Sequence, residues 1–287
     1  MSTLTRFAAI QMCSTADVEA NNQAIEALVR EAAALGATVV SLPEAANILL
    51  KDNMQYAGTC VAEADDTTLA LCRRLTAELG IWLHDGSILI RTEDGRRIWN
   101  RTHVISPAGE IVARYDKLHT FDVKLGEGHD FRESRAVQPG EGPPVVVDLG
   151  APGLRLGLSI CYDVRFAYLF RALAAAAANV LMIPASFSPV TGPAHWEILL
   201  RARAIETGSY VVAAAQCGTR DGVRTHGHAM IVSPFGEVIS ALGDDPGIIV
   251  ADIDPAEVEA TRRRLPCLTQ DRELKPTATV FAGSGGC

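Results

Sequence analysis

The sequence predicts an α/β fold in which two sheets of related topology pack face to face with helices outside. Three observations lead there. Strand-like and helix-like runs alternate through both halves of the chain, the pattern of layered α/β proteins. A hairpin pattern occurs twice, at residues 103–112 and 230–239, each time with Pro at the second turn position and Gly at the fourth. Hydrophobic residues make up 48% of the 287, without a long polar tract, which suffices to bury a substantial core.

Taken in order, residues 7–12 read as a strand. Residues 17–35 have helical periodicity, with Asp17 placed to cap the start and Gly36 just past the end. A strand is expected at 38–42, a helix at 66–79 closed by Gly80, and one strand over 81–90. Residues 111–115 are β-prone. The stretch 122–142 is long, Gly-rich and charged, and reads as a loop over the strand ends. The second half repeats the pattern: a strand at 154–160, a helix at 164–178, a strand at 180–184, a helix at about 194–207 and a strand at 210–215. Arg262-Arg263-Arg264 is expected at a solvated helix end. No linker divides the chain, so a single domain over 1–270 with a tail at 271–287 is expected.

The net charge of -8, with no other basic run, argues against a nucleic-acid-binding surface. No apolar stretch approaches the ~20 residues of a membrane span. Residues 172–178 are Ala-rich but too short, and the polar residues 1–6 do not read as a signal peptide. The seven cysteines (Cys13, Cys60, Cys72, Cys161, Cys217, Cys267 and Cys287) are scattered and odd in number, without a CxxC pair or zinc-ligand spacing. A reducing, cytosolic setting is expected, with no metal and no cofactor.

Three strand ends carry chemistry. The strand over 154–160 runs straight into Cys161, with a helix-like segment beyond. A thiol on a strand-to-helix turn is acidified by the helix N-terminus and finds N–H donors there, although a free cysteine is also simply a small buried hydrophobe. The 38–42 strand ends in Pro43 and then Glu44, and the 111–115 strand ends just before Lys117. Taken singly, Glu44 and Lys117 read as solvated charges. Together, the three ends offer a thiol, a carboxylate and an ammonium at the rim of a sheet.

Leu42-Pro43-Glu44, Tyr115-Asp116-Lys117 and Ile160-Cys161-Tyr162-Asp163 resemble, in order and separation, the Glu-Lys-Cys signature of the nitrilase superfamily of carbon–nitrogen hydrolases. The run from Thr191 to Trp196, continuing to Glu206, and Glu133-Ser134 before Pro139-Gly140, resemble its Nit branch, most of all the deaminated-glutathione amidases and then the ω-amidases. The resemblance implies a four-layer α-β-β-α sandwich and hydrolysis of a small primary amide to carboxylate and ammonia. Deaminated glutathione or a related α-keto acid amide is the implied substrate. It implies Cys161 as nucleophile, Glu44 as proton carrier, and Lys117 with the Tyr162 N–H on the oxyanion. Glu133 is implied as the residue that positions Lys117, or else it is a solvated loop carboxylate. Relatives of this kind pair two-fold, so a homodimer is expected, built on the 164–178 and 194–207 segments.

Other readings stay open. Arg165 either binds a substrate carboxylate or salt-bridges Glu206 or Asp163, with the structural role preferred. Lys124, Arg132 and Arg135 are weaker candidates for that cation. Ser186 and Phe187 are expected to line the pocket wall. His119 and His195 are the candidates for a thiol–imidazole dyad of the papain kind. His119 reads instead as a pocket-edge group and His195 as a buried structural histidine. The competing functions are an ω-amidase on α-ketoglutaramate, a nitrilase or N-carbamoyl amide hydrolase, and an inactive member that binds a metabolite or a partner.

Overall fold

The computed structural model describes residues 4–126, 130–150, 153–273, 275 and 277. Cys287 and most of the expected tail lie outside the described residues. Strand β1 (Thr5–Met12) shows the layering at once. Its side chains alternate between two faces, and both are buried: Phe7 and Ala9 go to one core, and Ala8, Ile10 and Met12 to another.

Helix α1 (Val18–Ala34) is capped by Asp17, whose carboxylate accepts the Glu19 and Ala20 N–H groups at 2.9 and 3.2 Å. Strand β2 (Val39–Ser41) lies parallel to β1, and a single turn, α2 (Tyr56–Thr59), follows. Helix α3 (Thr67–Leu79) starts at Asp66 and ends at Gly80, which takes the left-handed conformation. Strand β3 (Trp82–His84) is parallel to β2, and β4 (Ile88–Arg91), β5 (Ile98–Ile105) and β6 (Ile111–Asp116) follow as an antiparallel meander. A ribbon of β7 (Asp122–Lys124) and β8 (Asp130–Arg132) leads to β9 (Val137–Gln138), which joins β5 in parallel.

The second sheet begins with β10 (Val146–Asp148) and β11 (Arg155–Leu158). Helix α4 (Ala167–Ala175), β12 (Val180–Met182), α5 (Gly192–Thr207) and β13 (Tyr210–Ala213) come next. Only Ala214 then separates β13 from β14 (Ala215–Gln216), which pairs with β1 in the first sheet. After a small hairpin, β15 (Thr219–Arg220) and β16 (Val223–Arg224), the second sheet closes with β17 (Met230–Val232) and β18 (Val238–Ala241). Strand β19 (Gly247–Ile253) returns to β1, and α6 (Pro255–Arg264) follows. The result is a nine-stranded and a six-stranded sheet. Phe7, Ala9, Val39 and Val104 of the first meet Leu156, Leu158 and Val180 of the second, with α4 and α5 in the same cluster. The outer face of the first sheet packs on α1 and α3 through Ile25, Val29, Leu69 and Leu75. This is the expected α-β-β-α sandwich.

Both predicted hairpins form, with matching turns. Ser106 and Ser233 close them on Glu110 and Glu237, Gly109 and Gly236 take φ +77° and +88°, and each hairpin carries a register shift, at Val104/Ile105 and Ile231/Val232.

Four expectations are corrected. The strand expected over 81–90 is two strands, broken at Asp85-Gly86-Ser87 by a turn in which Gly86 takes φ +70°. The helix expected over 164–178 is a 3-10 turn, Cys161–Arg165, followed by a break at Phe166 and then α4. The 122–142 loop holds β7, β8, a 3-10 turn at Glu133–Arg135 and β9; residues 127–129 lie outside the described residues. Arg263 and Arg264 are exposed at the end of α6 as expected, but Arg262 is half-buried: its guanidinium donates to the carbonyls of Thr207 and Ala178, which holds α6 across the ends of α4 and α5.

On β5, His103 is fully buried. Its backbone N–H and Nδ1 reach the two Asp85 oxygens at 2.7 Å each, and Glu63 lies 3.5 Å from Nε2. Burial pulls its pKa down, but the Asp85 and Glu63 charges outweigh that and push it up to about 9. A base strengthened by folding stabilises the folded state while it is protonated and loses that contribution as the proton leaves. The contribution is therefore full below about pH 6.5 and fades toward about pH 9, by at most roughly 3 kcal/mol. Urea midpoints should fall over that interval. In His103→Gln the curve should be flatter; an equal slope would show that the pair does not carry it.

Candidate active site

Glu44 stands on a turn gripped from both sides. From the β3–β4 turn, the Ser87 hydroxyl accepts the Ala45 N–H at 2.9 Å and the Ser87 carbonyl accepts the Ala46 N–H at 3.0 Å. Gly86 fits there because a Cβ would come within 2.1 Å of the Pro43 carbonyl. From the β14 side, Gln216 donates to the Glu44 carbonyl at 3.0 Å and accepts the Ser14 N–H at 2.9 Å. Between the grips Ala45 is held at φ +55°, a conformation a non-glycine residue keeps only when its surroundings enforce it. The Glu44 side chain is thereby turned inward, only 5% of the residue being exposed.

Lys117 follows β6. Its N–H donates to the Asn100 carbonyl at 3.0 Å and its own carbonyl accepts the Gly140 N–H at 2.8 Å, which clamps the backbone on both sides. Cys161 opens the 3-10 turn at φ +47°, with its N–H on the Pro184 carbonyl at 2.8 Å. The three strand ends therefore do converge, and neither Glu44 nor Lys117 is solvated.

At the centre is the Lys117 ammonium, 2% exposed as a residue. Its Nζ is 2.8 Å from Glu44 Oε1 and 2.8 and 3.0 Å from the two Glu133 oxygens. Glu133 also accepts the Phe121 N–H at 2.5 Å. Glu44 Oε1 takes a second bond from Asn100 Nδ2 at 2.9 Å, and Oε2 takes the Ser186 N–H at 2.8 Å. The Cys161 thiol lies beside Glu44, near enough for the carboxylate charge to act on it.

Two buried carboxylates around one ammonium leave a net negative charge. Burial pushes Glu44 up, but the Lys117 charge and the hydrogen bonds from Lys117 and Ser186 outweigh it and hold Glu44 below the usual carboxylate range. Burial and the Glu44 charge push Glu133 up against Lys117. Burial works against the ammonium, yet Glu133 and Glu44 raise Lys117 well above its ordinary value. Burial and Glu44 raise the Cys161 thiol likewise. The acidified thiol expected from a helix N-terminus is thus corrected: α4 begins six residues later, and burial with the Glu44 and Glu133 charges outweighs the Lys117 cation at the sulfur. At neutral pH the resting group is a thiol poised against a carboxylate.

Around this centre, buried Asp163 accepts the Ile160 N–H and the Tyr115 hydroxyl on one oxygen and the His119 N–H and Nδ1 on the other. His119 stacks on Phe166 and bonds the Tyr168 hydroxyl, so it is an edge group held by Asp163. Tyr162 packs edge-on against Phe121 and Phe166. Arg165 pairs with neither Glu206 nor Asp163, as those are taken by Arg203 and by Tyr115 and His119. Instead its guanidinium lies over the Tyr162 and Phe187 rings and reaches His195 Nδ1 at 3.0 Å and Thr191 Oγ1 at 3.2 Å. His195 is therefore exposed, not buried. Ser186 contributes its N–H, and Phe187 packs between Arg165 and Trp196. Lys124, Arg132 and Arg135 are exposed on the ribbon. A separate cavity of about 690 Å³, lined by Gly192, Trp196, Gly218, Arg224, His226 and Asp244, lies beyond Phe187 and Trp196. Among the described residues no group of three His, Cys, Asp or Glu is placed to hold a metal ion.

Lys117→Met should leave Glu44 and Glu133 facing each other without a counter-charge. Removing one partner of a buried ion pair costs about 3–5 kcal/mol. Chemical denaturation near neutral pH should show that loss. Relative to the parent it should shrink as pH falls, because protonation removes the repulsion. A gap independent of pH would mean the cost is one of packing.

The carbon–nitrogen hydrolase family profile matches residues 6–263. A deaminated glutathione amidase of Bos taurus is 39% identical over 275 residues, covering 94% of this chain and 83% of that protein. The crystal structure of the C. elegans NitFhit protein superposes with a TM-score of 0.85 at 35% identity over 95% of this chain; the match spans 66% of that longer protein. An amidase of Nesterenkonia sp. AN1, with the acetamide moiety of fluoroacetamide added covalently at its active-site cysteine, has a TM-score of 0.75 at 28% identity, covering 91% of this chain and 94% of that one. On the family match and the shared architecture, the chain belongs to the carbon–nitrogen hydrolases, within the nitrilase superfamily.

Proposed function

We propose that the protein hydrolyses a small primary amide through Cys161, with deaminated glutathione as the substrate. The observation that carries this reading is the convergence of the Cys161 thiol, the Glu44 carboxylate and the buried Lys117 ammonium, whose Nζ is 2.8 Å from Glu44 Oε1. An amide needs a strong nucleophile, charge stabilisation on oxygen and a proton for the departing nitrogen. Glu44 takes the Cys161 proton as sulfur attacks the carbonyl carbon. The oxyanion forms beside Lys117 and the Tyr162 N–H. Glu44 then gives its proton to nitrogen, the C–N bond breaks, ammonia leaves and a thioester remains. Water, deprotonated by Glu44, attacks the thioester, and the proton returns to sulfur as the acid departs. Glu133 keeps Lys117 in place and balances its charge. Arg165 is the cation for a substrate carboxylate, a role supported by its partners: an imidazole and a hydroxyl, with no carboxylate among the described residues.

The substrate follows from the names of the curated relatives. An ammonia-release panel of deaminated glutathione, α-ketoglutaramate, aliphatic nitriles and N-carbamoyl amino acids decides it. Deaminated glutathione should have the highest kcat/KM. A preference for α-ketoglutaramate would move the chain to the ω-amidases, and no release at all would favour a binding protein. Cys161→Ala should be inactive, and Glu44→Gln should lose about 10²–10⁴-fold in kcat. An acyl adduct on another cysteine, seen by intact mass, would overturn the assignment of the nucleophile.

We read residues 1–270 as one hydrolase domain, supported by the family match to 6–263. Helices α4 and α5 expose Tyr168 and Ile198 at 64% and 68%, which supports a two-fold homodimer through these helices. Light scattering at micromolar concentration should give twice 30.6 kDa or a multiple; a single-chain mass would sink the proposal.

A further inference from the structure

We propose that Asn100 is a positioning residue that keeps Glu44 ionised and sets its distance from Lys117. Asn100 lies on β5, and one residue there holds both members of the ion pair. Its carbonyl accepts the Lys117 N–H at 3.0 Å, and its Nδ2 donates to Glu44 Oε1 at 2.9 Å, the same oxygen that Lys117 Nζ contacts. The residue is 3% exposed, so no bulk water shares these bonds.

The other half of the side chain carries the inference further. Asn100 Oδ1 is buried and has no hydrogen-bond partner among the described residues. An orphaned buried acceptor loses its water without replacement, and an asparagine kept only for packing has no reason to bear that cost. A flipped amide would set Oδ1 against Glu44 Oε1, oxygen to oxygen. The observed orientation is therefore held by a negatively charged Glu44. When Glu44 takes the thiol proton, the Asn100 bond weakens, and no turn of the amide repairs it while Lys117 still holds the same oxygen. Asn100 thus favours the carboxylate and makes protonated Glu44 a readier donor to the leaving nitrogen.

This inference rests on the assignment of Glu44 as the proton carrier. A hydrogen bond to a charged group is worth about 1.5–3 kcal/mol, or roughly 1–2 pH units of acidity. The acid limb of kcat/KM, followed by ammonia release, should therefore move up by roughly 1–2 units in Asn100→Ala. It should move further in the isosteric Asn100→Asp, where a second carboxylate faces Glu44, and in Asn100→Ala the alkaline limb should stay in place. In the parent protein, the Asn100 side-chain amide ¹⁵N resonance should titrate with the acid limb, and Glu44→Gln should abolish that titration. This measurement does not depend on any Asn100 variant folding. A uniform loss of activity with unmoved limbs, or an amide resonance that does not titrate, would overturn the role of Asn100. Substantial turnover in Glu44→Gln would instead overturn the assignment of Glu44 on which it rests.

Discussion

A buried ammonium held by two carboxylates is the interaction on which this structure depends. Taking an ion out of water costs several kcal/mol even after relaxation, and three ions are buried here within one cluster. The cost is offset only where every lone pair and proton has a well-placed partner. Lys117 has three close oxygens, Glu133 adds the Phe121 N–H, and Glu44 adds Asn100 and Ser186. Each partner belongs to a different segment, and much of the architecture serves to bring those segments to one point. The broken strand at Gly86, the forced turn at Ala45 and the crossing at Ala214 all lie next to groups that touch Glu44 or hold its backbone.

The same cluster explains why the thiol is not acidified. Many reactive cysteines lie beside a cation or a helix start. Cys161 lies beside an anion, with the nearest α-helix beginning after a break, so its proton stays on sulfur until a base removes it. Attack on an amide is suited to this arrangement. A thiolate formed in advance would leave Glu44 with no proton to hand to nitrogen, whereas a proton moved from sulfur to Glu44 is already where the leaving group needs it.

Much of this was legible in the sequence. Strand ends are marked by apolar runs that stop at a charge or a Pro, which is why Glu44, Lys117 and Cys161 stood out, and the duplicated Pro–Gly hairpins betrayed the paired sheets. Glu133 was readable only through resemblance, because a glutamate in a charged segment is otherwise like its neighbours. Asn100 and Gln216 were missed because each is a polar residue within a strand, where alternation alone does not tell a buried contact from an exposed one. The break at Phe166 was hidden by helix-compatible residues on both sides, and the split at Gly86 by a β-prone run that continues through it. Arg165 and His195 were misjudged together, since their pairing joins residues thirty positions apart on separate elements.

The register of β1 also orders the assembly of the molecule in time. This strand, near the start of the fold, lies between β19 on one side, where Thr5 meets Ile253, and on the other β2 and then β14, where Gln11 meets Ala215. Contacts across more than two hundred residues close slowly, and a chain emerging from the ribosome has not yet made them. The grip of Gln216 on the Glu44 turn belongs to this late set. A nascent chain can already display the thiol and the first helices, yet its catalytic carboxylate is left without one of its two supports. Chemistry of the proposed kind therefore begins only when β14 has docked on β1, and a chain that has not yet made this contact is protected from reacting.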